Sequence, residues 1–253
     1  MLLSQFSLEG RIALITGGSR GIGEATALGF AAAGADVALA SRKLPDLEKV
    51  AEQIRGLGRQ SLAVAAHMGR IDEIKGLVDT VTGEFGRIDI LVNNAGANPV
   101  MDSALDIEER AWDTIMNLNL KGLFFLSQAV ARVMKEHGGG VIINVASTAG
   151  LRPGGLPVYG ISKAGVIMAT KIMAHEWAKY NIRANAIAPG ILRTRFSEAL
   201  WNNPDILNAA LAGTPMKRIG EADEVVGTMI YLASDASSYV NGALITLDGG
   251  ASM

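Results

Sequence analysis

A short apolar segment that runs directly into a glycine-rich turn constrains the fold of this 253-residue chain more than any other feature. Residues 11–16 (RIALIT) have the apolar continuity of a strand buried on both faces of a parallel sheet. Seven residues, Gly17-Gly18-Ser19-Arg20-Gly21-Ile22-Gly23, follow it, and a helical pattern of apolar residues then ends at Gly34. A strand, a glycine turn and a helix in this order predict the start of a βαβ unit.

The same alternation continues along the chain. Further strands are expected at 36–41, 60–66, 88–93, 141–145, 182–188 and 244–247. Amphipathic stripes lie between them: Leu47, Val50, Ala51, Ile54 and Leu57, then Ile71, Ile74, Val78, Val81 and Phe85. Helices are also expected within 105–136, over 158–180 and over 221–233. The pattern predicts an α/β, Rossmann-type, doubly wound fold with a mainly seven-stranded parallel sheet and helices on both faces.

No linker, repeat or block of charge divides the sequence, so we expect one domain spanning 1–253, with residues 191–217 as a helical lid. Hydrophobic residues make up 49% and the net charge is −2, without a run of Lys or Arg, which argues against nucleic-acid and anionic membrane partners. The absence of cysteine excludes disulfides and thiolate chemistry, and three scattered histidines make a metal site unexpected. Neither a signal peptide nor a membrane span is recognisable, so a cytoplasmic location is expected.

The glycine turn predicts a site for a dinucleotide. Glycines allow close backbone approach to a pyrophosphate, and the following helix offers free N–H groups; the alternative is a turn without a ligand. The second strand ends in Ser41-Arg42, where strands that bind NAD carry an acid. Arg42 and Arg20 are suited to a 2′-phosphate, whereas Asp36 lies at the other end of this strand. NADP(H) is therefore favoured, with NAD(H) possible if both arginines are ordinary surface cations.

Four residues carry candidate chemistry. Tyr159 and Lys163 are four residues apart on a predicted helix, where a cation beside a phenol lowers its pKa from about 10. The alternative is a half-buried Tyr beside a solvated Lys. Ser147 follows the fifth strand, at the edge of the sheet where ligands bind, and either polarises a substrate oxygen or caps a turn. Asn119 lies within a predicted helix, where Asn is disfavoured, unless it belongs to a solvated face.

Together these motifs resemble a known family. Thr16-Gly17-x-x-x-Gly21-x-Gly23, Asn93-Asn94-Ala95-Gly96, Asn119, Ser147, Tyr159-x-x-x-Lys163 and Pro189-Gly190 have the order and spacing of the single-domain short-chain dehydrogenases/reductases. The resemblance covers essentially the whole chain and is closest to NADP-dependent carbonyl reductases and 3-oxoacyl-carrier-protein reductases. It implies hydride transfer between NADP(H) and a carbonyl or secondary alcohol. It also implies a homotetramer assembled through the two long helices.

The resemblance assigns roles to individual residues. Tyr159 would be the general acid in reduction and the base in oxidation, and Lys163 would lower its pKa and bind the nicotinamide ribose. Ser147 would polarise the carbonyl, and Asn119 would hold a water of a proton relay. The expected cofactor contacts are Gly17, Ser19, Arg20, Gly21, Ile22, Gly23, Ser41, Arg42, His67, Met68, Asn93, Ala95, Gly96, Tyr159, Lys163, Pro189, Gly190 and Thr194. His67 departs from the family, which usually has an Asp there, and either lies against adenine or faces solvent.

The substrate wall is expected from residues 97–100 and 148–156 and from the lid. Its candidates are Val100, Leu151, Leu156, Ile191, Phe196, Leu200 and Trp201. These apolar side chains suit a lipophilic ketone or acyl substrate, but Arg152, Arg193 and Arg195 leave sugar acids and 3-oxoacyl thioesters open. A catalytically silent nucleotide-sensing protein and an interaction scaffold are the alternatives that are not enzymes.

Overall fold

The computed structural model describes residues 3–98 and 103–253. In this part of the chain the strands are β1 (Ile12–Thr16), β2 (Asp36–Ser41), β3 (Ser61–Ala65), β4 (Ile90–Asn93), β5 (Gly140–Val145), β6 (Ile182–Pro189), β7 (Leu192–Arg193), β8 (Gly220–Glu221) and β9 (Leu244–Leu247). The α-helices are α1 (Gly21–Ala32), α2 (Leu44–Gly56), α3 (Ile71–Phe85), α4 (Glu109–Met116), α5 (Leu123–Glu136), α6 (Pro157–Trp177), α7 (Glu198–Trp201), α8 (Pro204–Ala212) and α9 (Val226–Ala233).

Seven strands form one parallel sheet in the order β3-β2-β1-β4-β5-β6-β9. The chain winds outward from β1 to β3, crosses back to β4 beside β1, and then winds outward in the other direction. The direction of winding therefore reverses between β1 and β4, and a crevice opens at the carboxyl ends of these strands. The predicted doubly wound fold with seven strands is confirmed.

Apolar side chains bury both faces of this sheet. On one face, α3, α5 and α6 contribute to a cluster that includes Leu77, Val130 and Met173. On the other face, α1, α2 and α9 contribute Phe30 and other fully buried side chains. Since both faces are covered by helices, the strands need apolar residues at consecutive positions, and β1 and β4 are buried throughout.

The long helix expected within 105–136 begins only at Glu109, and a π-helical segment, 117–122, interrupts it between α4 and α5. Gly122 brings this segment close to the loop after β3, where a Cβ on Gly122 would lie 1.7 Å from the carbonyl oxygen of Met68. The interruption places Asn119 in the interior, fully buried, and not on a solvated face. Such π segments are frequent at functional sites.

Smaller differences concern the ends of helices. Leu57 was expected on the buried stripe of α2, but it follows the last helical residue and is 52% exposed. The helix expected over 221–233 is α-helical only from Val226, because β8 and a 3₁₀ turn precede it. Residues 191–217 contain α7 and α8, and β7 pairs with β8 beside them. No helix in residues 3–98 or 103–253 is long and apolar enough to cross a membrane.

Candidate active site

A cleft of about 830 Å³ lies at the carboxyl ends of the central strands. It is bordered by the glycine turn, the end of β2, residues 94–97, the loop after β5, the start of α6 and the segment after β6. The expected cofactor contacts line it with two exceptions, Asn93 and Gly23. The cleft thus lies at the crevice that the reversal of winding opens between β1 and β4.

Hydrogen bonds fix the glycine turn to the end of β4. The Thr16 hydroxyl accepts the backbone N–H groups of Asn94 (3.0 Å) and Ala95 (3.1 Å). The Asn94 side-chain amide donates to the carbonyl oxygens of Thr16 (2.9 Å) and Gly17 (3.1 Å). Asn94 therefore sets the shape of the turn from the neighbouring strand. The family motif marked its position, but the residue was not among the expected contacts.

Glycine is required in this turn for two different reasons. Gly17 (φ +65°) and Gly21 (φ +58°) have left-handed backbone conformations that disfavour other residues, and both line the cleft. Gly23 has a packing role, since a Cβ there would lie 2.3 Å from the carbonyl oxygen of Gly17. Gly23 does not line the cleft, so its expected contact with the cofactor stays a prediction.

Three cations surround the end of β2. Arg20, Arg42 and Lys43 line the cleft, and none of them forms an ion pair with a described residue. Asp46 lies at the same end of the cleft and contributes one negative charge. Asp36 is bound at the opposite end of β2, where Arg59 (3.1 Å) and the backbone of residue 60 (2.8 Å) donate to it. The net positive charge at this end suits a phosphate group.

His67 and Met68 lie where the adenine end of the cleft was expected. The Nδ1 atom of His67 accepts the backbone N–H of Gly69 (3.0 Å), so a neutral imidazole carries its proton on Nε2. Glu73 accepts the backbone N–H of His67 at 2.7 Å and fixes this loop. Among the residues that the structure describes, no three His, Asp or Glu side chains are grouped to hold a metal ion.

Tyr159, Lys163 and Ser147 converge at the centre of the cleft. The Tyr159 side chain is buried and hydrogen-bonded to Ser147, whose hydroxyl also accepts the N–H of Ala149 at 3.2 Å. Ser147 is thus both a turn cap and a neighbour of the phenol. The Nζ atom of Lys163 lies 5.6 Å from the centre of the Tyr159 ring and donates to the carbonyl oxygen of Val145 at 2.6 Å.

Burial dominates the electrostatics of this pair. It raises the pKa of Tyr159 to about 12, although the hydrogen bond with Ser147 acts in the lowering direction. It lowers the pKa of Lys163 to about 8, because an ammonium loses its hydration in the interior. Proximity to Lys163 was expected to lower the pKa of the phenol. In the protein alone, burial outweighs that effect and moves the pKa in the opposite direction.

The side chain of Asn119 is fully engaged by the protein. Its oxygen accepts the N–H of Ala97 (2.9 Å), and its amide donates to the carbonyl of Ala97 (3.0 Å) and to the hydroxyl of Ser162 (3.1 Å). Ala97 lines the cleft, whereas Asn119 lies behind it. Both N–H groups of this amide are bound within the protein and fasten the wall of the cleft to α6. The expected role of Asn119 in holding a water of a proton relay stays a prediction.

Asn93 does not reach the cleft. Its amide donates to the hydroxyl of Ser127 on α5 (2.8 Å) and to the side-chain oxygen of Asn144 on β5 (2.9 Å), and the residue is buried. The side chain of Asn93 is thus unavailable to a ligand in the cleft, and the expected contact of this residue with the cofactor stays a prediction. Successive residues of a strand point to opposite faces, and the side chain of Asn93, the last residue of β4, points into the core.

The expected substrate wall is assembled in part. Leu156, Ile191, Phe196 and Leu200 line the cleft, and the Phe196 ring centre lies 5.8 Å from that of Tyr159. Leu151 and Trp201 do not line it, and Val100 lies outside the described residues. Residues that were not foreseen also line the cleft: Lys43, Asp46, Asn94 and Leu118.

The three candidate arginines of the wall differ in their surroundings. Arg193 pairs with Glu221 (3.1 Å) and stacks on Trp201, with 5.2 Å from its guanidinium carbon to the ring centre. Arg152 is exposed and does not line the cleft. Arg195 lines the cleft, beside Phe196, and no described residue forms an ion pair with it. One cation is therefore available to a substrate at this wall.

These features fit a dinucleotide. Gly17 and Gly21 of the glycine turn line the cleft, and α1 begins at Gly21 without a side-chain hydrogen bond from its N-cap residue, Arg20, which leaves its N-terminus suited to a phosphate. Thr194, Pro189 and Gly190 close the opposite side. A Cβ on Gly21 would lie 3.3 Å from the Thr194 side chain, so the two sides approach each other closely.

The chain is similar to proteins of known activity over almost its full length. The model of the protein family described as "Enoyl-(Acyl carrier protein) reductase" matches residues 17–252. The chain is 44% identical to a 2-dehydro-3-deoxy-D-gluconate 5-dehydrogenase of Escherichia coli, covering 99% of this chain and 98% of that protein. It is 41% identical to a 3-oxoacyl-[acyl-carrier-protein] reductase of Thermotoga maritima, covering 96% and 98%.

A solved structure is also similar. A gluconate 5-dehydrogenase from Burkholderia cenocepacia, in complex with NADP and tartrate, superposes with a TM-score of 0.95 at 37% identity, covering 99% of this chain and 98% of that one.

Proposed function

The chain is a member of the short-chain dehydrogenase/reductase family of NAD(P)-dependent oxidoreductases, and on that premise we propose that Tyr159 is the acid/base of its hydride transfer. One observation carries this proposal. A buried phenol with Ser147 on one side and Lys163 on the other lies in the cleft that fits a dinucleotide. The reacting group is a carbonyl in one direction and a secondary alcohol in the other.

Each of the three side chains has a distinct part in this chemistry. Negative charge develops on the carbonyl oxygen during reduction, and Tyr159 donates a proton to it while the Ser147 hydroxyl donates a hydrogen bond. In oxidation Tyr159 accepts the proton of the alcohol. Lys163 holds positive charge next to the phenol and favours its ionised form. The nicotinamide cofactor, when bound, supplies or accepts the hydride.

Residues on both sides of the cleft would hold this cofactor. The glycine turn and the start of α1 suit the pyrophosphate, and Thr194, Pro189 and Gly190 suit the nicotinamide end. Arg20, Arg42 and Lys43 support a preference for NADP(H), because a 2′-phosphate would bring its charge to three cations without ion-pair partners among the described residues. The complex of the Burkholderia enzyme with NADP is consistent with this preference.

The substrate is proposed to carry a carboxylate, as a sugar acid does. The support is Arg195, the one arginine of the described wall that lines the cleft without an ion pair. Its neighbour Phe196 lies against the Tyr159 ring, and Arg195 and Tyr159 line the same cleft, so a carboxylate bound at Arg195 would share that cleft with the reacting oxygen. Residues 191–217 would then act as the lid that carries this arginine over the substrate.

A 3-oxoacyl thioester is the second candidate. Leu156, Ile191, Leu200 and Ile206 give the wall enough apolar surface for an acyl chain. In that case Arg195 would bind a phosphate group of the acyl carrier. The relative from Thermotoga maritima carries this activity in its name.

We also propose that the enzyme is a homotetramer. The support is an exposed apolar stripe on α6, where Ile161, Met168 and Ile172 are spaced seven and four residues apart and are 50%, 57% and 43% exposed. Phe125 on α5 adds to it at 38% exposure. Light scattering tests this state, and Met168→Glu should then give a smaller species.

A substrate panel tests the function. The protein is mixed with NADPH or NADP⁺ and with oxo or hydroxy sugar acids, their methyl esters and 3-oxoacyl thioesters, and the nicotinamide absorbance is followed. We expect turnover of the acids and at least about tenfold weaker kcat/KM for the esters. Arg195→Ala should remove this difference in kcat/KM between acids and esters. Arg152→Ala is the matched control, because Arg152 is an exposed arginine outside the cleft, and it should keep the difference. Tight NADPH binding without turnover of any compound would instead favour a nucleotide-sensing protein.

A further inference from the structure

Within residues 3–98 and 103–253, one hydrogen-bonding arrangement occurs three times in the interior. A buried Asn amide donates to a buried helix hydroxyl, and that hydroxyl donates back to a carbonyl of its own helix. The three Asn–hydroxyl pairs are Asn93–Ser127, Asn144–Thr170 and Asn119–Ser162, with N···O distances of 2.8, 2.9 and 3.1 Å. The hydroxyls donate to the carbonyls of Leu123, Val166 and Tyr159 at 2.8, 2.7 and 2.7 Å.

Two of these pairs lie away from the cleft. Ser127 on α5 and Thr170 on α6 bind carbonyl groups four residues earlier, within regular helix, and their Asn partners belong to strands β4 and β5. Neither pair includes a residue that lines the cleft. They fasten helices to the sheet and have a structural role.

The third pair ends on the acid/base residue itself. Ser162 donates to the carbonyl oxygen of Tyr159, and the Asn119 that donates to Ser162 also holds both backbone groups of Ala97. Tyr159 and Ala97 both line the cleft, on two of its walls. The buried Ser162 therefore connects the backbone of Tyr159, through Asn119, with the backbone of Ala97.

We propose that Ser162 is a positioning residue: through Asn119, it fixes the position of the Tyr159 backbone relative to that of Ala97. This inference rests on the proposed role of Tyr159. The hydroxyl has one proton, which it gives to the Tyr159 carbonyl, and it accepts the Asn119 amide with a lone pair. Without it, a buried N–H of Asn119 loses its acceptor and the Tyr159 carbonyl loses one of its donors, so the first turn of α6 is held less firmly. A shift of about 1 Å at a reacting group can cost on the order of 10²-fold in rate.

Ser162→Ala tests this inference, with Ser127→Ala as a matched control. Both changes remove a fully buried serine hydroxyl that links an Asn amide to a helix carbonyl. We expect similar losses of Tm for the two variants. The kcat should fall about tenfold or more in Ser162→Ala only, because only that hydroxyl positions a reacting group. The Kd for NADPH, from fluorescence titration, should stay within about twofold and report the folded fraction.

Ser162→Cys is the second variant, since a thiol keeps the shape of serine but makes weak hydrogen bonds. It should fold as the wild type does and lose kcat several-fold, which decides the question if Ser162→Ala is too unstable. The inference is overturned if kcat stays within about twofold in the folded variants, or if Ser127→Ala loses kcat equally. Failure of the proposed function is distinguishable, because it would appear as a wild-type protein without turnover.

Discussion

The ammonium of Lys163 donates a 2.6 Å hydrogen bond to the carbonyl oxygen of Val145, the last residue of β5. A helix residue is thereby tied to the edge of the sheet where the cleft opens. This hydrogen bond restricts the flexible Lys163 side chain and holds its Nζ atom 5.6 Å from the centre of the Tyr159 ring. Because Lys163 is only 4% exposed, burying its positive charge lowers the stability of the folded state, and the size of this loss depends on pH.

Lys163→Met should change how stability depends on pH. Burial lowers the pKa of Lys163 from 10.5 to about 8. Below pH 8 both the folded and the unfolded protein carry the proton, so the full cost of burying the charge is present. Between 8 and 10.5 the folded state binds fewer protons, and the wild type should gain stability as pH rises. The total gain is about 3 kcal/mol, at about 1.4 kcal/mol per pKa unit. Urea unfolding at several pH values should show this rise flattened in Lys163→Met; an identical pH dependence would contradict it.

Ser147→Ala should move the pH profile of alcohol oxidation. The hydrogen bond with Ser147 lowers the pKa of Tyr159, against the burial that raises it to about 12. Its removal should therefore raise this pKa further, and the rise of kcat with pH should shift to higher pH. The loss of a donor to the reacting oxygen should also lower kcat by roughly 10²-fold. A fall in kcat with an unshifted profile would show that Ser147 does not affect the phenol.

Arg42→Ala should weaken NADPH binding by about tenfold or more, because it removes a charged donor from the phosphate end of the cleft. NADH binding should change little. Asp46→Asn should act in the opposite direction and strengthen NADPH binding, since it removes a negative charge from the same end. Lys75→Ala is the control, because Lys75 is an exposed cation of α3 that does not line the cleft. Equal losses for NADH and NADPH in Arg42→Ala would contradict the expected 2′-phosphate contact.

Gly23→Ala should destabilise the fold because a methyl group there would lie 2.3 Å from the carbonyl oxygen of Gly17 and 2.6 Å from the Asn94 amide. We expect a loss of about 1–3 kcal/mol or more. Gly76→Ala is the matched control, because Gly76 is also helical and a Cβ there meets nothing within 4 Å. It should raise stability by up to about 1 kcal/mol. The urea midpoint should fall in Gly23→Ala and rise in Gly76→Ala. Opposite signs would show that the clash at residue 23 outweighs the gain in helix propensity from alanine.

The sequence predicted the sheet well because each central strand is an apolar run bounded by turn residues, which is a local signal. The expected family is confirmed, as is the class of reaction. Ser147, Tyr159 and Lys163 were also predicted to lie together, since their motifs mark strand and helix ends that meet at one edge of the sheet. The roles proposed for these residues remain predictions.

The features that could not be predicted from the sequence depend on where a strand ends and on contacts with residues distant in the chain. Asn93 and Asn94 are adjacent and chemically identical, and only the strand end decides that one enters the core and the other holds the glycine turn. Arg193 and Arg195 are two residues apart, but Glu221 forms an ion pair with Arg193 and not with Arg195. The π segment that buries Asn119 has no periodic signal, although Gly122 marks the close approach that accompanies it. Ser162 was recognisable only as the residue before Lys163.

The rate of nicotinamide turnover by Tyr159→Phe, measured together with NADPH binding, tests the account most directly. The change removes one hydroxyl from a side chain that is already buried, so the cleft and its cofactor contacts should persist. We expect turnover to fall by about 10²–10⁴-fold, the range attributed to general acid–base catalysis, while the Kd for NADPH stays within about twofold. A Tyr159→Phe protein that binds NADPH normally and keeps a rate close to that of the wild type would contradict the assignment of Tyr159 as the acid/base.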